Sequence, residues 1–361
     1  RYNLTMEEKY YIPDEVYTVL MTRFHIVFPI FIILTIIINV ACILVTRRPK
    51  LRAYHSNVYI QMMAVLDVLS SLTHLPFVFD TDLCLYSSYS YAFYFTHFGW
   101  KMVDGVRTIS SYVLLFLSYD RFLAIWFPTK FQNVKKRLKR GITRRVLIVG
   151  PLLVASYIPL MCVGEVILQP NGKWLGLAGS DISNSNWLFF LKTYILIISG
   201  ILPSILLVGL SVGLVYGLFK KRINVHEGRK GKRQFFSAIS VLVLNLSYVV
   251  CITPYLVAVH NYTIDKGNCV GTVKTEVMLL VSHSLVLLWS TVQILIYFGI
   301  NKVFWKEAMI ALSTVPFVKI NVEYSTSEGC ATSATDKMKH NVLLKQDINP
   351  NSMVSCTESN T

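Results

Sequence analysis

The sequence predicts an all-α membrane protein, a bundle of seven transmembrane helices, from its composition and its long apolar blocks. Of the 361 residues, 53% are apolar and 15% are charged, whereas soluble domains carry roughly a quarter charged residues. The apolar residues form blocks nearly free of charge, and about 18 such residues suffice for a helix to cross the bilayer core. The seven blocks are residues 24–45, 58–79, 100–126, 146–163, 194–218, 235–259 and 277–300.

The net charge of +15 is concentrated in alternate connections between these blocks. Short connections rich in Lys and Arg stay on the cytoplasmic side, so the N-terminus is predicted to be extracellular and the C-terminus cytoplasmic. Membrane topology and attraction to the lipid bilayer account for the charge, and no nucleic-acid partner is predicted. The basic connections are residues 47–52, 130–145 and 220–233.

Two glycosylation sequons agree with this orientation and with a location in the plasma membrane. Asn3 and Asn261 each precede a Thr by two positions and fall on the predicted outer side, where glycans are attached. A third match, at Asn245, lies in the middle of the sixth block and is interpreted as coincidence.

Two local patterns predict structure outside the seven blocks. In the connection 164–185, Asn171 and Gly172 stand between β-prone runs, and both tolerate positive φ, which predicts a β-hairpin. After the seventh block, the sequence NKVFWKEAMIAL at 301–312 is apolar on one side, which predicts a short amphipathic helix on the inner leaflet.

An acid and a base stand side by side at the end of the third block, at Asp120 and Arg121, followed by Phe122. Ionisable residues within a membrane are costly and mark functional sites. With seven blocks in this topology, residues 24–312 resemble a rhodopsin-like (class A) G-protein-coupled receptor. Further marks of that family occur in order at Asn39, Asp67, Pro128, Pro203, Pro254 and Tyr297.

The resemblance implies three regions. Residues 1–22 form an extracellular N-terminus, residues 23–312 form the seven-span receptor domain with its amphipathic helix, and residues 313–361 form a cytoplasmic tail. The tail is rich in Ser, Thr and Asn without periodicity, which predicts disorder and phosphorylation, and arrestin is its expected partner.

The resemblance also implies heterotrimeric G proteins as partners and assigns coupling roles. Arg121 is expected to contact the G protein once released from its resting partner Asp120, with Pro128 and Tyr297 completing the coupling set. The alternative is a pair that snorkels to the membrane edge. Near Gln234 the family has an acid that also restrains the arginine, so a looser resting state with basal activity is expected.

Several switch positions depart from the family. Ile252 stands where the family has Trp, Gln293 and Ile294 replace an Asn-Pro pair, and Ser211 replaces a Tyr. A non-signalling decoy or scaffold receptor therefore remains an alternative to a signalling one.

Asp67 invites the family's sodium-site interpretation, with Ser110 and Ser290 as further oxygen ligands, because a buried carboxylate with oxygen neighbours suits a hard cation. Trp289 and Gln293 replace two asparagines of that pocket. The alternative is a protonated or hydrogen-bonded structural Asp. No other cofactor is predicted.

The cysteines depart from the family as well. The family joins the top of the third helix to the second outer loop by a disulfide, but Thr96 stands near the first position and residues 164–188 contain no Cys. Cys84 and Cys269 both fall on the predicted outer side, where they form either an alternative disulfide or two free thiols.

Candidate ligand-pocket residues lie in the outer halves of the blocks. Asp104 and Arg107 are one helical turn apart, so they form either an internal pair or a site for a charged ligand. Amine receptors of the family place an Asp where this chain has Val103, which disfavours an amine. The other pocket candidates are Lys192, Tyr255 and His283, the last of which is alternatively a structural hydrogen-bonding group.

Both signs of charge, the predicted hairpin and an aromatic mouth resemble neuropeptide receptors, so a peptide is the leading ligand class. A small molecule or a lipid is the alternative within the same fold. No nucleophile–base set, Gly-rich phosphate loop or clustered His, Asp and Glu at helical spacing occurs, so no enzymatic activity is predicted.

Overall fold

The computed structural model describes residues 14–52, 56–78, 85–86, 88–168, 172, 174–178, 186–222, 229–264, 273–300 and 302–313. Within those residues, seven helical segments are long and apolar enough to cross a membrane, which confirms the predicted bundle. The long helices are α1 (Asp14–Thr46), α2 (Ser56–His74), α3 (Trp100–Trp126), α4 (Pro128–Cys162), α5 (Leu202–Arg222), α6 (Arg229–Ile264) and α7 (Val273–Ile300), and α8 (Lys302–Ser313) follows them.

Two of the seven segments contain a π-helical turn near their beginning. Tyr89–Tyr94 is joined to α3 through the turn Phe95–Gly99, and Asn186–Leu196 is joined to α5 through the turn Ile197–Ile201. Such turns insert one extra residue and are frequent at functional sites. Two further short pieces flank α2, Pro49–Arg52 before it and the 3₁₀ turn Leu75–Val78 after it.

Several helices extend beyond the apolar blocks that predicted them. The first begins at Asp14, inside the segment assigned to the extracellular N-terminus, and no Gly or Pro stands between Asp14 and Pro29. The fourth begins at Pro128, so the basic stretch expected in a loop is helical; Pro is tolerated there because the first turn needs no backbone N–H donor. An apolar block marks only the part of a helix that lies in the hydrocarbon core, and these helices extend beyond that part.

A three-stranded antiparallel sheet in the order β1-β3-β2 confirms the predicted hairpin. Its strands are β1 (Leu85–Tyr86), β2 (Gly164–Leu168) and β3 (Trp174–Ala178). Gly172, in the connection between β2 and β3, has a φ of 77°, which glycine adopts without strain. The end of the bundle that carries this sheet and the start of α3 is called the hairpin end below. The opposite end, where α3 gives way to α4, is called the basic end.

The third helix occupies the centre of the bundle, with α2, α4, α5 and α6 packed against it. The α3 and α7 segments are the most buried of the seven and α4 is the most exposed. The exposed side chains of the outer helices are large and apolar, among them Leu147, Leu152, Ile205 and Val250, as a surface in contact with lipid requires. Polar side chains on α3 therefore face other helices.

The predicted amphipathic helix after the seventh span is present as α8. Phe304 is fully buried against the rings of Tyr297 and Phe298, at centroid distances of 5.2 and 4.6 Å. Glu307 lies 3.7 Å from the Arg48 guanidinium, whereas Trp305 is exposed. These contacts attach the first two turns of α8 to α7 and to the connection after α1.

Candidate functional site

At the hairpin end, three side chains from α3 and α6 form a compact group, here called the Arg107 cluster: Asp104, Arg107 and Tyr255. Arg107 Nη2 lies 3.2 Å from Asp104 Oδ1, and the Tyr255 hydroxyl donates to the same oxygen at 2.5 Å. The guanidinium carbon also lies 3.6 Å from the centroid of the Tyr255 ring, a cation–π contact. The i, i+3 spacing of the two charged residues puts them on one face of α3. The structure therefore shows the internal pair that was one of the two predicted arrangements.

Hydrogen bonding of Arg107 is incomplete. Its side chain is 4% exposed, yet Nε and Nη1 have no acceptor among the described residues. Guanidinium carries five N–H donors and stays charged at any physiological pH. Only one edge of this buried cation is therefore neutralised.

His283 lies beside this cluster in an aromatic group that joins α2, α3, α6 and α7. Its ring centroid is 4.5 Å from that of Trp100 and 5.2 Å from that of Tyr255. His74 Nδ1 donates to the Ser70 carbonyl at 2.7 Å, and its Nε2 lies 3.4 Å from His283 Nδ1. The sequence did not single out His74, although a polar residue in the last turn of an apolar helix was a usable signal.

The two lysines of this end are less buried than Arg107. Lys192, on the helical piece Asn186–Leu196, is half-buried, and Lys101 is the charge that it approaches. The Lys101 ammonium donates to the Thr96 carbonyl and lies within electrostatic reach of Asp104. Both lysines thus add positive charge to the hairpin end.

Asp67, in the middle of α2, is 2% exposed and faces α7. Ser290 Oγ donates to its Oδ1 at 3.3 Å, and the Gln293 amide nitrogen donates to its Oδ2. Ser110, on α3, lies within hydrogen-bonding reach of the same carboxylate. Gln293 Oε1 is buried without a hydrogen-bond partner in the described part of the chain. The structure thus brings together all three residues of the predicted sodium site.

Closer to the basic end, a neutral hydrogen-bonded chain crosses three helices, here called the Asn245 latch. Ser118 on α3 donates to Asn245 Oδ1 on α6 at 2.8 Å. Asn245 Nδ2 donates to Ser211 Oγ on α5 at 3.0 Å, and that hydroxyl donates to the Leu207 carbonyl at 2.7 Å. The exposure of the three side chains is 5% or less, so they join α3, α5 and α6 in the core.

At the basic end itself, Asp120 accepts a hydrogen bond from the Tyr59 hydroxyl at 2.5 Å. Its Oδ1 lies 3.7 Å from the Arg145 guanidinium on α4. The neighbouring Arg121 is half-buried and lies within electrostatic reach of Tyr297 on α7. The Tyr297 hydroxyl in turn donates to Asn57 Oδ1 at 2.8 Å.

A family model described as "7 transmembrane receptor (rhodopsin family)" matches residues 38–297. The chain belongs to the rhodopsin family of seven-transmembrane receptors. No curated protein matches it. The match begins within the last third of α1 and ends near the end of α7, and it confirms the resemblance drawn from Asp120, Arg121 and the marks that accompany them.

Members of this family are receptors rather than enzymes, and they couple an extracellular ligand to heterotrimeric G proteins. The receptor is therefore a multi-pass membrane protein that signals through G proteins. In that framework, the Arg107 cluster and the Asp120–Arg121 pair are separated by more than ten residues of α3, about four helical turns.

In the receptor, Asp120 forms an ion pair with Arg145, and the adjacent Arg121 lies within electrostatic reach of Asp120 as well as of Tyr297. Consecutive helical residues point about 100° apart, so Asp120 faces α2 and α4 while Arg121 turns towards α7. Neither Tyr59 nor Arg145 was singled out from the sequence, because nothing local connects them to Asp120.

The altered switch positions of the receptor are all in the core. Ser211, which replaces a Tyr, belongs to the Asn245 latch, and Ile252 is 2% exposed. Gln293 contacts Asp67. The sequon-like match at Asn245 is buried inside α6, so its interpretation as coincidence holds. A polar residue within an apolar span was itself the signal that would have found the latch.

The remaining predicted sites fall partly outside the described residues. Asn3, Cys84 and Cys269 lie in segments that the structure does not describe, and Asn261 lies in the last turn of α6. The cysteines that are described, Cys42, Cys162 and Cys251, form no disulfide. Pro128 begins α4 at the basic end.

Proposed function

We propose that this receptor binds a peptide at the hairpin end and responds by activating a heterotrimeric G protein through Arg121 at the basic end. The observation that carries the proposal is the Arg107 cluster. A buried, incompletely paired cation inside a membrane bundle is costly, and its place at the hairpin end, far from the coupling residues, suits a ligand site.

The sheet favours a peptide over a small molecule. In the order β1-β3-β2, β2 is an edge strand, and an edge presents backbone groups to which an extended peptide can add. Along β2, Glu165, Ile167 and Leu168 are exposed, so both charge and apolar surface are available beside the edge. A small molecule or lipid would gain little from such a strand.

The orientation belongs to the same proposal: the hairpin end is extracellular and the basic end is cytoplasmic. The support is the concentration of Lys and Arg in residues 47–52, 130–145 and 220–233, because such clusters remain on the cytoplasmic side. Glycan attachment at Asn3 and Asn261, and a plasma-membrane location, follow from this orientation.

Sodium at Asp67 is a further part of the proposal. The side-chain oxygens of Asp67, Ser110 and Ser290 lie together in the core, and Gln293 Oε1 is buried without a partner in the described part of the chain. Na⁺ is a hard cation that prefers oxygen ligands. The residues fit the ion: Asp67, Ser110 and Ser290 would hold it. Bound there, the ion would supply positive charge next to a carboxylate that now accepts N–H and O–H donors.

The test is G-protein activation in cells that express the receptor, driven by a library of synthetic peptides, for the parent and for Arg121→Ala. Antibody staining of unfixed cells equalises surface expression. The proposal predicts a peptide response in the parent that disappears in the variant. A response carried only by non-peptide ligands would replace the peptide by a small molecule or lipid.

A decoy receptor is the second candidate, favoured by Ile252 and Gln293 at switch positions. It predicts specific peptide binding to intact cells without G-protein activation in either protein. The two candidates therefore differ in signalling and agree in binding, and labelled-peptide binding measured on the same cells separates them.

A further inference from the structure

We infer that the part of the ligand that enters the bundle carries a carboxylate and that Arg107 binds it. This inference rests on the proposed function, because it names the chemistry of a ligand that the hairpin end receives. It adds the sign of the charge and the receptor group that recognises it.

The first step concerns the cost of Arg107 as it stands. A buried cation without full pairing is unfavourable by several kcal/mol. Arg107 is 4% exposed, and two of its three nitrogens, Nε and Nη1, lack an acceptor among the described residues. The face of its guanidinium rests on Tyr255, so what is missing is an acceptor at the edges.

The second step concerns Asp104, the carboxylate that pairs with Arg107. Its Oδ1 is shared between Arg107 Nη2 and the Tyr255 hydroxyl, and Lys101 also draws on its charge. Lys192 adds a further positive charge close to Lys101. Asp104 therefore already serves two cations and a hydroxyl, which leaves Nε and Nη1 of Arg107 without an acceptor among the described residues.

The third step concerns the other described groups around Arg107, and none of these supplies the missing anion. The two histidines, His74 and His283, lie within its electrostatic reach and are neutral or positive. Tyr157 and Tyr248 also lie within its reach, but their hydroxyls are engaged with Thr108 and Ser111 at 2.9 and 2.8 Å. The neighbourhood accepts a negative charge and repels a positive one.

A carboxylate matches this site best among common ligand groups. Its two coplanar oxygens fit the planar donors of guanidinium, and charge-assisted bonds of this kind are about twice as strong as neutral ones. In a peptide, the group is either the C-terminal carboxylate or the side chain of Asp or Glu. An amine or a cationic side chain at this depth would meet Arg107 directly and is excluded.

The test measures binding of small carboxylates to the purified, full-length receptor in detergent, by thermal unfolding. N-acetylglycine represents a peptide C-terminus and propionate represents an acidic side chain. Each replaces sodium chloride at constant ionic strength up to about 100 mM. The proteins are the parent, Arg107→Gln, Arg107→Lys and Arg145→Gln, the last being a matched loss of an Asp-paired arginine at the basic end.

The expected result is a saturable rise of about 2–5 °C in the unfolding midpoint of the parent and of Arg145→Gln. That rise is absent from Arg107→Gln and reduced in Arg107→Lys, which keeps the charge without the planar donors. If N-acetylglycine raises the unfolding midpoint more than propionate does, the group is a peptide C-terminus. If propionate raises it more, the group is an acidic side chain. Non-specific stabilisation by excluded salts affects all four proteins equally, so the difference between proteins is decisive.

An equal response in the parent and Arg107→Gln, or no response in the parent, overturns the inference. If Arg107→Gln does not fold, Arg107→Lys against Arg145→Gln gives the same comparison. The measurement uses neither peptide nor G protein. A negative result therefore rules out Arg107 as the carboxylate site without ruling out a peptide receptor. A positive result supports the inference whether or not the receptor activates a G protein.

Discussion

The Arg107 cluster and the Asn245 latch are two buried polar groups that each join α3 to α6, and they are built in opposite ways. The cluster uses charges and shares one carboxylate oxygen between two donors. It leaves two guanidinium nitrogens without an acceptor in the described part of the chain. The latch uses neutral side chains in sequence, Ser118 to Asn245 to Ser211, and ends on a backbone carbonyl.

The difference shows how a buried polar group that awaits a ligand differs from one that holds helices together. A polar group whose hydrogen bonds are all made holds helices together, and a further partner does not stabilise it. A charged group that lacks partners gains from any ligand that supplies them. Incomplete pairing of Arg107 within the described residues therefore distinguishes the proposed ligand site from the hydrogen-bonded latch.

The largest expected effect comes from removing the shared carboxylate of the cluster. Asp104→Asn leaves Arg107 buried without an anion, and breaking a buried pair in this way costs about 3–5 kcal/mol. We expect a large fall in the thermal midpoint of the purified receptor. The double variant Asp104→Asn/Arg107→Gln recovers much of that loss, because no buried charge remains; strictly additive losses would show that the two side chains do not interact.

A smaller effect is expected at the latch. Asn245→Leu removes two neutral hydrogen bonds, worth about 1 kcal/mol each, while Ser118 and Ser211 keep backbone carbonyls as acceptors. If the latch favours the resting arrangement of α6, loss of about 2 kcal/mol raises the active population about thirtyfold.

Basal G-protein activation in cells, normalised to surface expression, measures this change. Ser240→Ala is the matched control, because among the described residues its hydroxyl bonds only to the Phe236 carbonyl of its own helix. Basal activity equal to that of the control would assign the latch a packing role alone.

A still smaller effect is expected from sodium at Asp67. Replacing NaCl by N-methyl-D-glucamine chloride removes the small cation at constant ionic strength, and we expect the midpoint of the parent to fall by about 1–3 °C. Asp67→Asn, which keeps the shape but removes the charge, is insensitive to the exchange. Equal sensitivity of both proteins would mean that sodium acts elsewhere.

The smallest effect on stability is expected at the basic end. Arg145 is 42% exposed and lies 3.7 Å from Asp120, and partly solvated pairs are worth about 0–1 kcal/mol. Arg145→Gln should therefore leave the thermal midpoint of the receptor nearly unchanged. A fall as large as that of Asp104→Asn would show that the two ends are built alike, and the contrast drawn above would be lost.

The sequence was sufficient to predict the bundle, because each span is a continuous apolar block and the Lys- and Arg-rich connections between blocks are also local features of the sequence. It was also sufficient for the residues of the Arg107 cluster, since Asp104 and Arg107 are local neighbours on α3 and Tyr255 lies at matching depth on α6. The helix ends were less predictable, because α1 and α4 continue past the membrane where hydropathy is silent.

Interactions between distant parts of the chain were beyond sequence reasoning. Arg145 meets Asp120 across the α3–α4 contact, and Asn245 meets Ser118 and Ser211 across two helix interfaces, with sequence separations from 25 to 127 residues. Only the rotation of each helix about its axis decides such contacts. A polar residue in an apolar span signals that some partner exists, but not which one.

The measurement that tests the central claim most directly is the dose–response of peptide-driven G-protein activation for the parent, Arg107→Lys and Ser240→Ala at equal surface expression. The account predicts that Arg107→Lys needs at least about tenfold more peptide for half-maximal response, a loss of about 1.4 kcal/mol, while its maximal response stays intact. Ser240→Ala should follow the parent curve. Parental potency in Arg107→Lys would contradict the account, because the ligand would then not depend on the guanidinium.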